Sequence, residues 1–174
     1  IQTDAQYSAY LQNLKTGLTL PGFWDSQTLV VTSKLEHEIT DTYDTQSATI
    51  SGVFRKKWQE LELSYGLAYR LDQIESDHTR IFNLVSTPLG IDYSSTDNPL
   101  DPSKGIVLGT RVEPFTAIGE QSSSFVSWSV SGRTYVPILP AQKLILALRG
   151  SVGMIAGTGR SSVPENLLLY TGGG

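Results

Sequence analysis

The sequence contains no cysteine among its 174 residues, so disulfide bonds and thiolate metal sites are excluded. It is also poor in charge, because Asp, Glu, Lys and Arg make up 17%, against about 25% in typical globular proteins. Hydrophobic residues reach 39%, where about 45–50% is usual. Ser, Thr, Gly, Asn and Gln fill the difference. Such a composition suits a structure with one apolar face and one neutral polar face.

Positive clusters and long apolar runs are also missing. The only basic run is Arg55-Lys56-Lys57, and the net charge is −4. Phosphate binding needs clustered positive charge, so nucleic acid is not an expected partner. The longest apolar runs, such as residues 144–148, are far shorter than the roughly 20 residues of a transmembrane helix. Helical membrane spans are therefore excluded, whereas spans of another kind are not. The chain starts at Ile1 without Met or a signal peptide, which suggests a mature protein or an excised piece.

Alternation of apolar and polar residues dominates the chain. In residues 61–71, LELSYGLAYRL, every odd position is apolar and every even one is small or polar. Side chains alternate across a strand, so this stretch has one apolar and one polar face. Similar patterns predict eight strands, at 7–21, 28–41, 45–58, 61–75, 79–94, 104–118, 122–139 and 143–157. Long strands joined by short turns indicate an all-β, antiparallel up-and-down meander.

Two all-β architectures fit this pattern. A soluble sandwich or barrel buries its apolar face, whereas a membrane barrel turns that face to lipid and lines its lumen with polar residues. The strands are long enough to span a bilayer, since a tilted strand needs about 9–11 residues. The polar face also carries mid-strand arginines, at Arg70, Arg111, Arg133 and Arg149. Both features favour the membrane barrel, whose lumen accommodates such charges.

Aromatic residues near strand ends are typical of the interfacial girdle of a membrane barrel. These residues are Phe23, Trp24, Tyr43, Trp58, Tyr93, Phe115 and Tyr170. In a membrane barrel, we expect Leu63, Leu67, Trp128 and Leu146 to face acyl chains. Ser129 and Arg149 should face an aqueous cavity.

Three stretches carry a resemblance to a known family. Residues 18–58 resemble mid-barrel strands of the outer-membrane assembly-factor superfamily, the bacterial surface antigen domain, with the autotransporter translocation and assembly module as the closest member. Residues 88–115 are similar to that domain's strand–turn–strand stretch, here with Asp92, Asp97, Leu100-Asp101-Pro102, Gly105 and Pro114. Residues 163–174 are similar to the segment that enters the lumen-plugging loop. Gly172, Gly173 and Gly174 are then the expected loop entry.

The resemblance implies that residues 1–174 are the middle of a sixteen-strand barrel in the Gram-negative outer membrane. Its partners would be lipid, client β-barrel or autotransporter proteins, and periplasmic proteins bound through upstream domains. The implied function is insertion or translocation of those clients, without catalysis or a cofactor. A piece of such a barrel has two raw sheet edges, which we expect to pair with another copy. The turns at 21–27, 56–60, 97–104 and 137–143 would be periplasmic, and those at 41–45, 75–79, 118–124 and after 157 would lie outside.

Two other functions stay open on the sequence. One is a passive two-partner-secretion-type pore of the same superfamily. The other is a soluble β-sandwich that binds a ligand. A conducting pore should have an open lumen, and a sandwich should partition away from detergent.

No chemical constellation points to an enzyme or a metal site. Residues 153–162 partly match the motif of a phosphate-binding loop, but Arg160 occupies the position where that motif requires Lys. Residues 92–105 are acidic, but their spacing does not match a calcium-binding EF-hand. His37 and His78 are isolated and are expected to be exposed, and no serine has an orienting partner. For the mid-strand arginines and the acids Glu36, Glu38, Glu62 and Glu113, ordinary ion pairing is favoured over pairing across the lumen.

Overall fold

The computed structural model describes residues 1–8, 10–39, 44–75, 79–119, 123–139, 144–157 and 167. In these ranges the chain forms one antiparallel sheet of ten strands. The strands are β1 (Gln2–Tyr7), β2 (Leu11–Trp24), β3 (Gln27–Ile39), β4 (Asp44–Trp58), β5 (Leu61–Glu75), β6 (Thr79–Ser86), β7 (Leu89–Ser94), β8 (Gly105–Ala117), β9 (Ser124–Pro137) and β10 (Ile145–Ala156). The predicted all-β meander is confirmed. No helix in the described ranges is long and apolar enough to cross a membrane.

The interval predicted as a single strand at 79–94 is divided into β6 and β7 by Thr87 and Pro88. The register does not shift across the break, because Ser86 pairs with Ala68 of β5 and Leu89 pairs with Tyr65 of the same strand. Proline has no N–H to donate to a ladder, so regular pairing stops there. The backbone stays connected, since the Gly66 N–H donates to the Pro88 carbonyl at 3.0 Å.

The sequence did not predict β1, and it placed the start of the first long strand too early. β2 begins at Leu11, because a turn precedes it in which the Ser8 Oγ accepts hydrogen bonds from the backbone N–H groups of Tyr10 and Leu11, at 3.3 and 2.9 Å. Both faces of β1 are exposed and mostly polar. Alternation of hydrophobicity therefore gives no signal for this strand.

The two faces of the sheet differ in exposure. Along β5 the apolar odd residues are exposed, whereas the polar even residues are partly or fully covered. This difference in exposure indicates that the sheet curves around its polar side, because curvature brings the side chains of the concave face together and spreads those of the convex face apart. We call the polar, concave side the inner face and the apolar side the outer face.

The two ends of the sheet also differ. We call the end with the β2–β3, β4–β5, β7–β8 and β9–β10 connections the turn end, and the other the loop end. The first two of these connections are two residues long, at Asp25-Ser26 and Gln59-Glu60. In the described part of the chain, β1 and β10 each pair with one strand only, so the sheet is open there. Pairing of these edges with a second copy stays a prediction.

Asp97 organises the long turn between β7 and β8. One oxygen of its carboxylate accepts hydrogen bonds from the backbone N–H groups of Asn98, Ser103 and Lys104 at 3.0–3.2 Å. The other accepts the Ser103 hydroxyl. The Asp97 carboxylate thus holds this turn together. Gly105 closes the turn at a φ of 116°, and a Cβ there would lie 2.5 Å from the Ser95 carbonyl oxygen.

The Asp97 carboxylate makes the turn sensitive to acid. The Ser103 hydroxyl and the backbone donors lower the pKa of Asp97 from 3.8 to about 2. A carboxyl with a lowered pKa stabilises the fold above its unfolded-state pKa, and this contribution is lost as the pH falls to the folded-state pKa. We expect the stability difference between wild type and Asp97→Asn to be constant above pH about 4 and to shrink between about 4 and about 2. Denaturant unfolding of the detergent-solubilised protein over this pH range measures it.

Asp101→Asn is the matched control for this experiment. Asp101 lies in the same turn, and the structure describes no hydrogen bond to its side chain. Its replacement should leave the pH profile of the wild type unchanged. An Asp97→Asn profile parallel to that of the wild type down to pH about 2 would contradict the assignment.

Candidate functional site: the two faces of the sheet

The outer face carries a continuous apolar band. On β5 it runs from Leu61 to Leu71, and Leu67 at its centre is 64% exposed. Ten residue steps at about 3.3 Å, tilted by about 40°, cover about 25 Å, the height of the apolar band of a transmembrane barrel. The residues expected to face lipid, Leu63, Leu67, Trp128 and Leu146, are all exposed here. A soluble sandwich would bury them.

Aromatic side chains border this band at the turn end. Phe23, Trp24 and Trp58 are exposed there, and Phe23 and Tyr65 pack on either side of Phe54 with ring centroids 6.1 and 5.6 Å away. The assignment of Phe115 to the girdle was wrong. Phe115 pairs with Phe125 of β9, points to the inner face and is 5% exposed. Tyr43 and Tyr170 lie outside the described residues.

The inner face is polar and holds its charges in local networks. The Arg70 Nε donates to both oxygens of Asp72, at 2.7 and 3.0 Å, and the Ser47 hydroxyl donates to Asp72 at 2.5 Å. Asp72 is completely buried, so these contacts replace the water that a carboxylate requires. Lys34 pairs with Glu36 in the same way, two residues along one strand.

A second network lies on β7 and β8. The Arg111 guanidinium donates to Asp92 at 2.6 Å, and Glu113 accepts the Ser86 hydroxyl at 2.6 Å. The ion pairs of the described residues are local ones, as ordinary ion pairing predicts. Residues two apart on a strand share a face, and paired strands lie about 4.8 Å apart, so nearby partners are reached first.

Gly90 makes room for the Arg111 side chain. A Cβ at this position would lie 2.5 Å from the Ser64 Oγ and 3.0 Å from the Arg111 Cδ. We expect Gly90→Val to displace Arg111 from Asp92 and to destabilise the protein by about 1 kcal/mol, the upper range for an exposed ion pair. In a double-mutant cycle, Arg111→Gln should then cost nothing further in the Gly90→Val background.

Gly150→Val is the control, because a Cβ there meets no atom within 4 Å. It should be close to neutral in the same unfolding assay. Additive effects of Gly90→Val and Arg111→Gln would show that the glycine and the ion pair are independent.

An apolar cluster interrupts the inner face at the loop end. It contains Ile74, Phe82, Leu84, Phe115, Ala117 and Phe125. The Phe115 and Phe125 rings stack with centroids 4.7 Å apart. Ile155 of β10 and Leu167 pack against the cluster.

Sequence reasoning missed this cluster, although a signal was present. In β6, Ile81, Phe82, Leu84 and Val85 put large apolar residues on both faces, so the strand lacks the alternation that β5 shows from Leu61 to Leu71. The other predicted positions give a mixed result. His37 is half-buried and hydrogen-bonds Asp44 at 2.8 Å, so full exposure was wrong, and His78 lies outside the described residues. Gly172, Gly173 and Gly174 also lie outside them.

Known proteins share this architecture. The sheet is similar to the crystal structure of BamA from Haemophilus ducreyi lacking POTRA domains 1-3, with a TM-score of 0.86 and 14% sequence identity. The match covers 98% of this chain and 38% of that one, so the chain spans well under half the length of the BamA chain. No curated protein matches significantly in sequence.

The family profile of the Omp85 superfamily domain matches residues 1–174, the whole length of the chain. This match agrees with the resemblance to the bacterial surface antigen domain and with the apolar outer face. The chain belongs to the Omp85 superfamily, whose members reside in the Gram-negative outer membrane.

Proposed function

We propose that the full-length protein inserts or translocates β-barrel proteins, autotransporters among them, at the outer membrane. The observation that carries the proposal is the Omp85 match over residues 1–174. The sheet supports it, because an apolar outer face and a polar inner face suit a lipid-embedded wall around an aqueous space.

The strands described here would be the middle of a larger barrel, with the turn end in the periplasm. The open sheet, with β1 and β10 at its ends, supports this placement. β4 pairs over nearly its full length with β3 on one side, from Thr28↔Arg55 to Ile39↔Asp44, and with β5 on the other, from Asp44↔Glu75 to Trp58↔Leu61. This part of the wall is therefore rigid, and opening for a client would occur at another seam.

The work on a client would be strand exchange. An opened sheet edge offers unpaired N–H and C=O groups, and a client strand adds to it by backbone pairing. Lipid then favours the paired strand, since an unsatisfied backbone group in hydrocarbon costs several kcal/mol. This reaction needs neither a nucleotide nor a covalent step.

A passive two-partner-secretion-type pore is the alternative within the superfamily. A conducting pore requires an unobstructed interior. Leu167 packs against the inner apolar cluster, so this residue lies on the inner face at the loop end. This contact favours an assembly factor.

Reconstitution tests the proposal. The full-length protein in liposomes should speed the insertion of a urea-denatured outer-membrane barrel over empty liposomes, as measured by heat-modifiable gel mobility and protease protection. An autotransporter client tests the narrower assignment. Steady conductance in planar bilayers without acceleration of insertion would support the pore and overturn the proposal.

A further inference from the structure

Arg133 and Arg149 face each other on the inner face of β9 and β10. They are direct partners in the antiparallel register. Side chains at such positions have Cβ atoms about 4.5–5.5 Å apart, and like charges there are destabilising. This arrangement differs from that of Arg70 and Arg111, which each pair with an aspartate.

On the sheet, the neighbours of the pair supply hydrogen-bond donors and no acid; the acids of the adjoining turn are Asp97, whose carboxylate holds that turn together, and Asp101. The neighbouring inner-face residues are Ser131 and Tyr135 on β9, and Ala147 and Ser151 on β10. On the described inner face of β8, β9 and β10 the single acid is Glu113, whose carboxylate accepts the Ser86 hydroxyl. Asp92 lies two strands away and is held by Arg111 at 2.6 Å. Within the described ranges, no ion pair joins an acid to Arg133 or Arg149.

A cavity of about 240 Å³ opens next to Arg133, one member of this pair. Arg133 and Tyr135 line it together with Ser94 and Thr96, and Pro99, Leu100 and Pro102 of the β7–β8 turn contribute apolar lining. The turn is held in place by the hydrogen bonds of Asp97. Apolar residues of this turn therefore lie beside the exposed Arg133 side chain, and the exposed Arg149 is its direct partner on β10, which suits a carboxylate flanked by apolar atoms.

We propose that Arg133 and Arg149, with Tyr135 and the 97–104 turn, form a binding site for acidic side chains of a client polypeptide inside the barrel. The inference rests on the proposed function for the origin of the polypeptide. A carboxylate between the two guanidinium groups would relieve their repulsion and accept a hydrogen bond from each. The apolar residues of the turn would contact the residues that flank the acid.

Peptide binding to the full-length protein in nanodiscs tests the site. The probes are two fluorescent, extended peptides that differ at two positions only. One carries two Asp among apolar residues, and the other carries two Asn at the same positions. Fluorescence anisotropy should give about tenfold tighter binding of the Asp peptide, as two charge-assisted contacts at an exposed site provide. Arg133→Gln/Arg149→Gln should remove this preference, as should about 1 M salt, where the Debye length is about 3 Å.

Arg55→Gln/Lys57→Gln is the matched control, because it removes two inner-face charges from β4 instead. It should keep the Asp preference. Equal affinity for both peptides, equal loss in the control, or displacement by millimolar inorganic phosphate without any Asp preference would each overturn the inference.

The liposome insertion assay separates this inference from the proposed function. If the wild-type protein speeds insertion but binds both peptides equally, the proposed function stands and the proposed carboxylate site is refuted. Arg-dependent Asp preference without any acceleration of insertion supports the carboxylate site and removes the assembly function.

Discussion

Leu67→Arg is expected to destabilise the barrel by about 2–4 kcal/mol, the range for a charged residue facing lipid near the bilayer midplane. Leu67 lies at the centre of the apolar band on β5 and is 64% exposed on the outer face. An arginine there finds no acid within the apolar band of β5, where Tyr65 and Tyr69 already bond Gln27 and Asn83, and must draw its guanidinium toward an interface. Denaturant unfolding of the full-length protein in lipid vesicles, followed by tryptophan fluorescence, measures the loss.

Ala68→Arg is the control from the adjacent position. Ala68 lies between Ser51 and Ser86 on the inner face, where an arginine meets hydroxyl groups and water. Its cost should stay below about 1 kcal/mol, as for substitutions at wet surfaces. A larger loss for Ala68→Arg than for Leu67→Arg would mean that the faces are assigned the wrong way round.

Phe125→Ala is expected to cost about 3–5 kcal/mol, the usual range for removing a buried phenylalanine. Phe125 is 1% exposed, and its ring stacks on Phe115 with centroids 4.7 Å apart. Lipid cannot refill a cavity on the inner face. The loss should also weaken the packing of Leu167 against the cluster. Limited proteolysis near Leu167 measures this second effect.

Val126→Ala is the neighbouring control. Val126 points to the outer face and is 38% exposed, so acyl chains fill the space that its methyl groups leave. We expect a loss below about 1 kcal/mol and no change in proteolysis. If Phe125→Ala is as mild as Val126→Ala, the apolar cluster does not stabilise the fold.

The strands of the sheet were predictable because their pattern is local. In β5, the alternation of Leu61 to Leu71 with polar residues fixes the strand, its faces and its ends. The same pattern could not say which face is concave, and the choice of lipid for the apolar face came from strand length and the arginines. The sequence does contain a signal for the break at Pro88, because proline lacks the N–H that a regular ladder needs. It contains no signal for β1, which has too few apolar residues to alternate.

The inner-face details depend on register between distant residues, which no local pattern contains. Arg133 and Arg149 were both predicted on the polar face, but their direct pairing requires the β9–β10 alignment. Phe115 was assigned to the girdle by its position near a strand end, although its odd number placed it with Arg111 and Glu113. Local ion pairs such as Arg70–Asp72 follow from spacing two and were within reach of the sequence.

The direction of the apolar face is tested most directly by cysteine scanning, because the chain has no native cysteine. Spin labels are placed singly at residues 61–71 of the full-length protein in vesicles, leaving out Gly66, where a Cβ would lie 2.2 Å from the Gly52 carbonyl oxygen. Labels at odd positions should collide with membrane-dissolved oxygen, and labels at even positions with a water-soluble nickel complex. The opposite phase, or equal accessibility at both sets of positions, would contradict a lipid-facing Leu67 and a water-facing Ala68.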